Sequence, residues 1–267
     1  HNFRINEGVF VLTSNEAEVF KDKEYLKPLY KSSDIPRWSP TQNSYYILYS
    51  SPHKEIVDEK FISHISKYRR ILEDVRLKNN ENIRNWKYLR RGVLNEKIYS
   101  NIPKIITPYR SNISRFAYTV NPFYASQDVY FITDKKQGYS LKYILALLNS
   151  SLYFLWLYYR GKRKGEALEL YQTPLSEIPI KVISDFEQKP FIEIVDHILA
   201  LTDSSDYFKN KEKCILVKKF EMQIDNMVYE LFGLTDEEIA VVKKSMNDGQ
   251  AITYDKKEDF FETTAGK

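Results

Sequence analysis

The chain has 267 residues, enough to bury a sizeable core as one large or two small domains, and its single cysteine, Cys214, excludes both a disulfide framework and a cysteine-based zinc site. Net charge is only +4, but Lys60 to Lys164 holds 21 Lys and Arg against 6 Asp and Glu, a balance of +15, while the remainder holds 19 against 30, a balance of −11. A basic middle between acidic ends is the asymmetry of a polyanion-binding surface, or of helices whose charged faces are simply solvated.

In chain order, Gly8 to Leu12 (GVFVL) reads as a buried strand. Pro28 and Pro36 forbid a continuous helix through the connection that follows, which contains Ser33-Asp34-Ile35-Pro36-Arg37-Trp38. Tyr45 to Tyr49 (YYILY) is aromatic and β-branched, as strands are. Asp58 to Leu77 spaces Phe61, Ile65, Tyr68, Leu72 and Val75 on one helical stripe, with Lys67, Arg69, Arg70 and Arg76 around it. After a polar loop comes Trp86-Lys87-Tyr88-Leu89-Arg90-Arg91, in which Trp86 suits a core anchor and the arginine pair suits exposure. Pro103 to Ser111 and Ser114 to Tyr118 alternate as strands do, with Pro108 at a bulge or edge. Phe123 to Ile132 reads as another buried strand.

The stretch from Tyr139 to Ile180 organises the rest. Leu141, Ile144, Leu145, Leu148, Leu152 and Leu155 predict one apolar helix from Leu141 to Tyr159. A basic knot follows, Arg160-Gly161-Lys162-Arg163-Lys164-Gly165, expected as a loop between glycines, and then a short segment from Ala167 to Tyr171. Further on, an amphipathic helix is expected over Phe191–Leu201 after Pro190, and a longer one over Lys209–Phe232 stopped by Gly233. The stripe of the longer helix is Ile215, Phe220, Ile224, Met227, Val228 and Leu231. Thr235 to Glu238 carries a capping-box signature ahead of a short helix over Glu237–Lys244.

Catalytic constellations fail on chemistry. Asn121-Pro122-Phe123-Tyr124 approaches the Asn-Pro-Pro-Tyr motif that holds a flipped adenine, but lacks the second proline and any glycine-rich turn after a strand for the cofactor. Asp128 with Lys135 and Lys136 lacks the Glu-x-Lys pair of a metal-dependent nuclease and reads as a solvated strand end. His1, His53, His64 and His197 show no ligand spacing. The apolar run Tyr143 to Tyr159 falls short of about 20 residues and is interrupted by Asn149, Ser150 and Ser151, so a core helix is expected instead of a membrane span. No catalytic residue and no metal ligand is expected in this chain.

The sequence LLNSSLYFLW, a glycine-flanked turn and then LSEIPI together resemble the TaqI-like C-terminal specificity domain. That domain is the target-recognition part of adenine-specific DNA methyltransferases and of fused type IIG restriction–modification enzymes. The Asp34-Ile35-Pro36-Arg37 segment, the Trp86 to Arg91 run, the Pro103-Lys104-Ile105 and Arg115-Phe116-Ala117 hairpin, and the Ile224 to Leu234 run extend the likeness over residues 5 to 245. It is the ordered series, not any one motif, that carries it.

The resemblance implies an α+β fold: a twisted, partly barrel-like β recognition lobe plus a C-terminal helical hairpin. The expected division is 1–185 for target recognition, 186–246 for the hairpin and 247–267 for a weakly structured tail. The implied partners are duplex DNA and a methyltransferase domain of the same polypeptide, with no membrane. The parent enzyme would use S-adenosylmethionine for adenine-N6 methylation in the cytoplasm, and magnesium where a separate nuclease domain cuts. The chain opens without Met, which suits a fragment of something longer. Two other classes stay open: a stand-alone specificity-subunit-like adaptor, and an RNA-binding or general interaction module. The expected DNA-contacting residues are Arg90, Arg91, Tyr109, Arg110, Arg115, Lys162, Arg163 and Lys164, each at a turn or strand end, with Tyr118 and Tyr171 as further stacking surfaces.

Overall fold

The computed structural model describes residues 8–21, 23–53, 55–90, 96–133, 138–165 and 167–254. The elements are β1 (Val11–Leu12), α1 (Ser14–Ala17), β2 (Leu26–Tyr30), β3 (Tyr45–Leu48), α2 (Glu59–Ser66), α3 (Arg69–Lys78), β4 (Lys104–Pro108), β5 (Arg110–Ser111), β6 (Ala117–Thr119), β7 (Tyr124–Ala125) and β8 (Val129–Thr133). There follow α4 (Leu141–Asn149), α5 (Ser151–Arg160), β9 (Lys162–Lys164), β10 (Ala167–Glu169), α6 (Gln172–Ser176), α7 (Asp185–Thr202), α8 (Lys211–Phe232) and α9 (Asp236–Tyr254). The class is α+β. The sheets are small and open, so the barrel-like closure expected of the β lobe is absent among the described residues.

The chain divides into two compact units that interleave in sequence: His1–Asp34, Gln42–Ile102 and Val120–Gln127 make one, and Ile35–Thr41, Pro103–Thr119 and Asp128–Lys267 the other. This cut falls elsewhere than residue 185, because returning strands pair with distant partners. In the first unit the strand order is β1-β3-β2-β7, antiparallel except for β2 with β7. Alternation sends Leu12 and Leu48 into a core with Phe20, Phe61 and Ile65. Asp58 caps α2 by accepting from the Lys60 and Phe61 backbone. It also accepts from Lys23 Nζ and Tyr25 Oη, each at 2.7 Å, which holds its carboxyl well below the usual range, the lysine contributing most. The single helix expected from Asp58 to Leu77 is two: Tyr68 leaves helical geometry (φ −106°, ψ 5°) to bury its ring, and Val75 is exposed instead of joining the stripe. Trp86 is half-buried at the edge of this core, with Arg69 over its ring.

The second unit holds two sheets, β6-β4-β8 and β5-β10-β9, and a helical core. α4 is buried on most of its surface, through Leu141, Tyr143, Leu145, Leu147 and Leu148, with Lys142 on its open side paired to Asp196. The expected continuous helix breaks at Ser150, which is extended (φ −74°, ψ 158°), and α4 and α5 meet at 70°. The cause is a set of polar bonds made by Asn149, Ser150 and Ser151. The Asn149 side chain bridges the Phe116 backbone, donating to its carbonyl at 2.8 Å and accepting from its N–H at 3.3 Å. Ser150 Oγ donates to Leu147 O at 2.7 Å and accepts from Tyr153 N, which caps α5. Ser151 donates through N and Oγ to Asp225 on α8, at 2.7 and 2.6 Å. Burial raises the Asp225 carboxyl above its ordinary range despite these bonds.

Arg37 donates to the Asn149 carbonyl and pairs with Glu221 at 3.1 Å, and the Trp38 indole donates to the same Glu221 at 2.7 Å. Trp38 sits at φ +77°, rare for so bulky a residue, and is held by backbone bonds to Phe116 and Tyr118. Leu148 is buried, but Leu152 is only partly so. α7 begins at Asp185, ahead of Pro190, because Ser184 and Glu187 form a capping box. α7 and α8 pack as the expected helical hairpin, and Gly233 ends α8 in the left-handed region (φ +64°). Ile215 is exposed, and Val217 takes the buried place in the stripe. α9 continues to Tyr254, beyond the expected Lys244 and into the span expected as a weak tail. Among the described residues no single helix is long and apolar enough to cross a membrane.

Candidate nucleic-acid interface

The basic knot is a strand. Gly161 ends α5, where any side chain would collide with the Leu157 carbonyl, 2.4 Å from the position of a Cβ. Gly165, at φ +62°, begins the turn back. Between them Lys162–Lys164 pairs antiparallel with β10, and β10 pairs on its other side with β5. The expected loop is therefore one edge of a three-stranded sheet, because the segment ALELY alternates with period two and gives the knot a partner.

Register places Glu169 between Lys162 on β9 and Arg110 on β5. Arg110 donates through Nε at 3.0 Å and Nη2 at 2.8 Å to the same oxygen, Glu169 Oε1. Tyr109 Oη donates to that oxygen at 3.3 Å, and Lys162 Nζ lies 3.7 Å from Oε2. The Glu169 side chain is only 6% exposed, against 43% for Arg110 and 62% for Lys162. Arg110 chiefly, then Tyr109, holds the Glu169 carboxyl below its usual range. Glu169 in turn raises the Arg110 guanidinium, and a Tyr171 hydrogen bond raises the Lys162 ammonium.

Aromatic rings surround this row. The Arg110 guanidinium lies 4.7 Å from the Tyr109 ring centre, and Lys162 Nζ lies 5.3 Å from that of Tyr171. Tyr109 contacts Tyr171 and Tyr130 with centroids 5.8 and 6.2 Å apart. On the opposite face of β9, Arg163 covers Tyr158 at 4.0 Å. Lys164 is exposed at the strand end.

The structure thus brings Tyr109, Arg110, Lys162, Arg163 and Lys164 into one small sheet. Arg115 and Arg90 are not on the strands of this sheet. Arg115 donates to the Ile35 carbonyl at 2.8 Å, and burial lowers its guanidinium below the ordinary value, so it is placed as a structural arginine. Arg90, in the first unit, pairs at 2.7 Å with Glu81, which also takes Arg76 at 2.6 Å. Arg91 lies outside the described residues. Tyr118 is packed against the helical core. Phe123 and Tyr124 are buried, Phe123 stacked on Tyr30 at 4.0 Å, which accounts for this near-motif as packing.

Glu169 is the residue that sequence reasoning missed. Its signal was present: an acid alternating with Leu168 and Leu170, two residues from Tyr171, in the strand that follows a basic tripeptide. Among the described residues no group of three or more His, Cys, Asp or Glu is placed to hold a metal ion.

The family model for the TaqI-like C-terminal specificity domain matches residues 27–180. The chain is 36% identical over 137 residues to the type II methyltransferase M.HindII of Haemophilus influenzae (strain ATCC 51907 / DSM 11121 / KW20 / Rd), covering 49% of this chain and 25% of that protein. It is 37% identical over 122 residues to the type II methyltransferase M.HincII of Haemophilus influenzae, covering 43% and 24%. The chain thus spans about a quarter of the length of these relatives. The solved structure of the type IIL restriction–modification enzyme MmeI in complex with DNA superposes on 92% of this chain and 34% of its own, with a TM-score of 0.64 at 15% identity, which marks a shared fold.

Proposed function

Because the chain belongs to the TaqI-like C-terminal specificity domain family, we propose that it recognises a target sequence in duplex DNA for a type II methyltransferase in the same polypeptide. The carrying observation is the β5-β10-β9 sheet, where Arg110, Lys162, Arg163 and Lys164 present cations beside Tyr109 and Tyr171. Exposed cations on a strand edge neutralise phosphates and release counterions, which gives affinity without sequence preference. An arginine fixed in orientation adds sequence preference, because its fork matches one base edge.

In this reading the parent transfers a methyl group from S-adenosylmethionine to the adenine N6 amine, in the cytoplasm. Any cleavage belongs to a separate, magnesium-dependent domain. The sequence has no glycine-rich strand-to-helix turn suited to cradling that cofactor, so this chain's residues bind and orient DNA and perform no methyl transfer. Titration of the intact protein with a labelled duplex, competed by unlabelled duplex DNA or RNA at fixed salt, tests the reading. DNA is expected to displace the probe far better than RNA of equal length. Equal displacement would leave a general polyanion-binding module.

A further inference from the structure

We infer that Glu169 is a positioning residue that holds Arg110 edge-on, so that the outer edge of the guanidinium reads a base pair. The inference rests on the DNA-recognition reading above.

Three observations lead to it. A carboxylate 6% exposed in the middle strand of a small sheet costs free energy unless it is paired, and a buried ion pair as a whole often stabilises no more than apolar residues of similar volume in its place. Its presence is therefore better explained by what it orients. Next, the pairing is one-sided. An arginine has five N–H donors in a rigid fork. The inner edge, Nε and one hydrogen of Nη2, is committed to Glu169 Oε1, and Tyr109 lies against the plane. Among the described residues that leaves both hydrogens of Nη1 and the second of Nη2, and the outer edge is the fork of one Nη1 and one Nη2 hydrogen facing away from Glu169. This fork pairs bidentately with guanine O6 and N7. Finally, the arginine–glutamate cluster around Glu81 differs. Glu81 takes both Arg76 and Arg90, and Arg76 also donates to the Tyr88 carbonyl at 2.7 Å, so that cluster is tied down within the protein. Arg110 is the more exposed cation, at 43%, held by the more buried acid.

The test is selection of the intact protein on a pool of DNA duplexes with a randomised core, followed by sequencing of the bound fraction. The wild type is expected to enrich a defined sequence. Arg110→Lys keeps the charge and removes the fork, and it should lose preference at one base pair by about 5- to 100-fold. Glu169→Gln keeps size and one acceptor, and should lose preference at that same base pair while the others stay. Lys164→Ala should keep the whole preference and bind every duplex more weakly. Glu169→Asp, which withdraws the carboxylate by one methylene, gives the same reading should the amide variant fail to fold. Full preference in both Glu169 variants, or a loss at a different base pair from Arg110→Lys, overturns the inference. A wild type that enriches no sequence overturns the DNA-recognition reading instead.

Discussion

At Asn149–Ser151 and at the β9–β10 hairpin, polar residues interrupt apolar sequence, but they meet opposite fates. Asn149 gives both ends of its amide to Phe116, Ser150 caps α5, and Ser151 is held twice by Asp225. Each polar group there has a named protein partner, which is how a buried polar site avoids its desolvation cost. In the hairpin, Lys162, Arg163 and Lys164 stay exposed, with one buried acid, Glu169, set against two of the sheet's cations. The same chemistry builds a joint where donors are matched and a binding surface where donors are left over.

The comparison breaks most visibly at the joint. Leu148→Ala, in the buried helix just before the break, should cost about 2–5 kcal/mol in denaturant unfolding. A loss under about 0.5 kcal/mol, the level of ordinary surface changes, would show that this face is not core. Asn149→Ala strands the buried Phe116 N–H and removes one of the two donors to its carbonyl, the other being Trp38 N–H, and should cost about 1–3 kcal/mol in the same assay.

A basic residue on the structural side sharpens the contrast. Lys104 is fully buried in β4, and burial lowers its ammonium to about 8 from an ordinary 10.5. Below pH 8 it is charged folded and unfolded, so the burial cost is complete. Between about pH 8 and 10 the unfolded chain binds more protons than the folded one, and stability should rise by up to about 1 kcal/mol per pH unit. Unfolding midpoints across that range should show the rise in the wild type and not in Lys104→Met. An identical pH profile in both would mean that Lys104 does not lose its proton on folding. Lys164→Ala, at the exposed strand end, should shift stability by less than about 0.5 kcal/mol.

Much of this was legible in order along the chain. The series from Asp34-Ile35-Pro36-Arg37 through LLNSS to LSEIPI carried the family, whose match spans residues 27–180, and the two long helices followed from stripes, the second ended by Gly233, while their pairing as a hairpin followed from the resemblance. The break at Ser150 was not legible, because Asn149 and Ser151 find their partners 33 and 74 residues away. The knot looked like a loop because three successive cations carry no alternation of their own, and their strand partner lay beyond the next glycine. Arg115 looked like a base reader for a related reason: its acceptor, the Ile35 carbonyl, is 80 residues distant.

The most direct test of the account is the salt dependence of duplex binding by the intact protein. Log K against log salt concentration should be steep for the wild type. In the Lys162, Arg163, Lys164 triple alanine variant the slope should fall by about 0.9 for each phosphate that is no longer neutralised, or by about 2.7 if each of the three cations serves one phosphate. Affinity should drop about equally for every duplex. An unchanged slope in a folded triple variant would contradict the account, leaving the hairpin a structural edge and placing the DNA surface elsewhere.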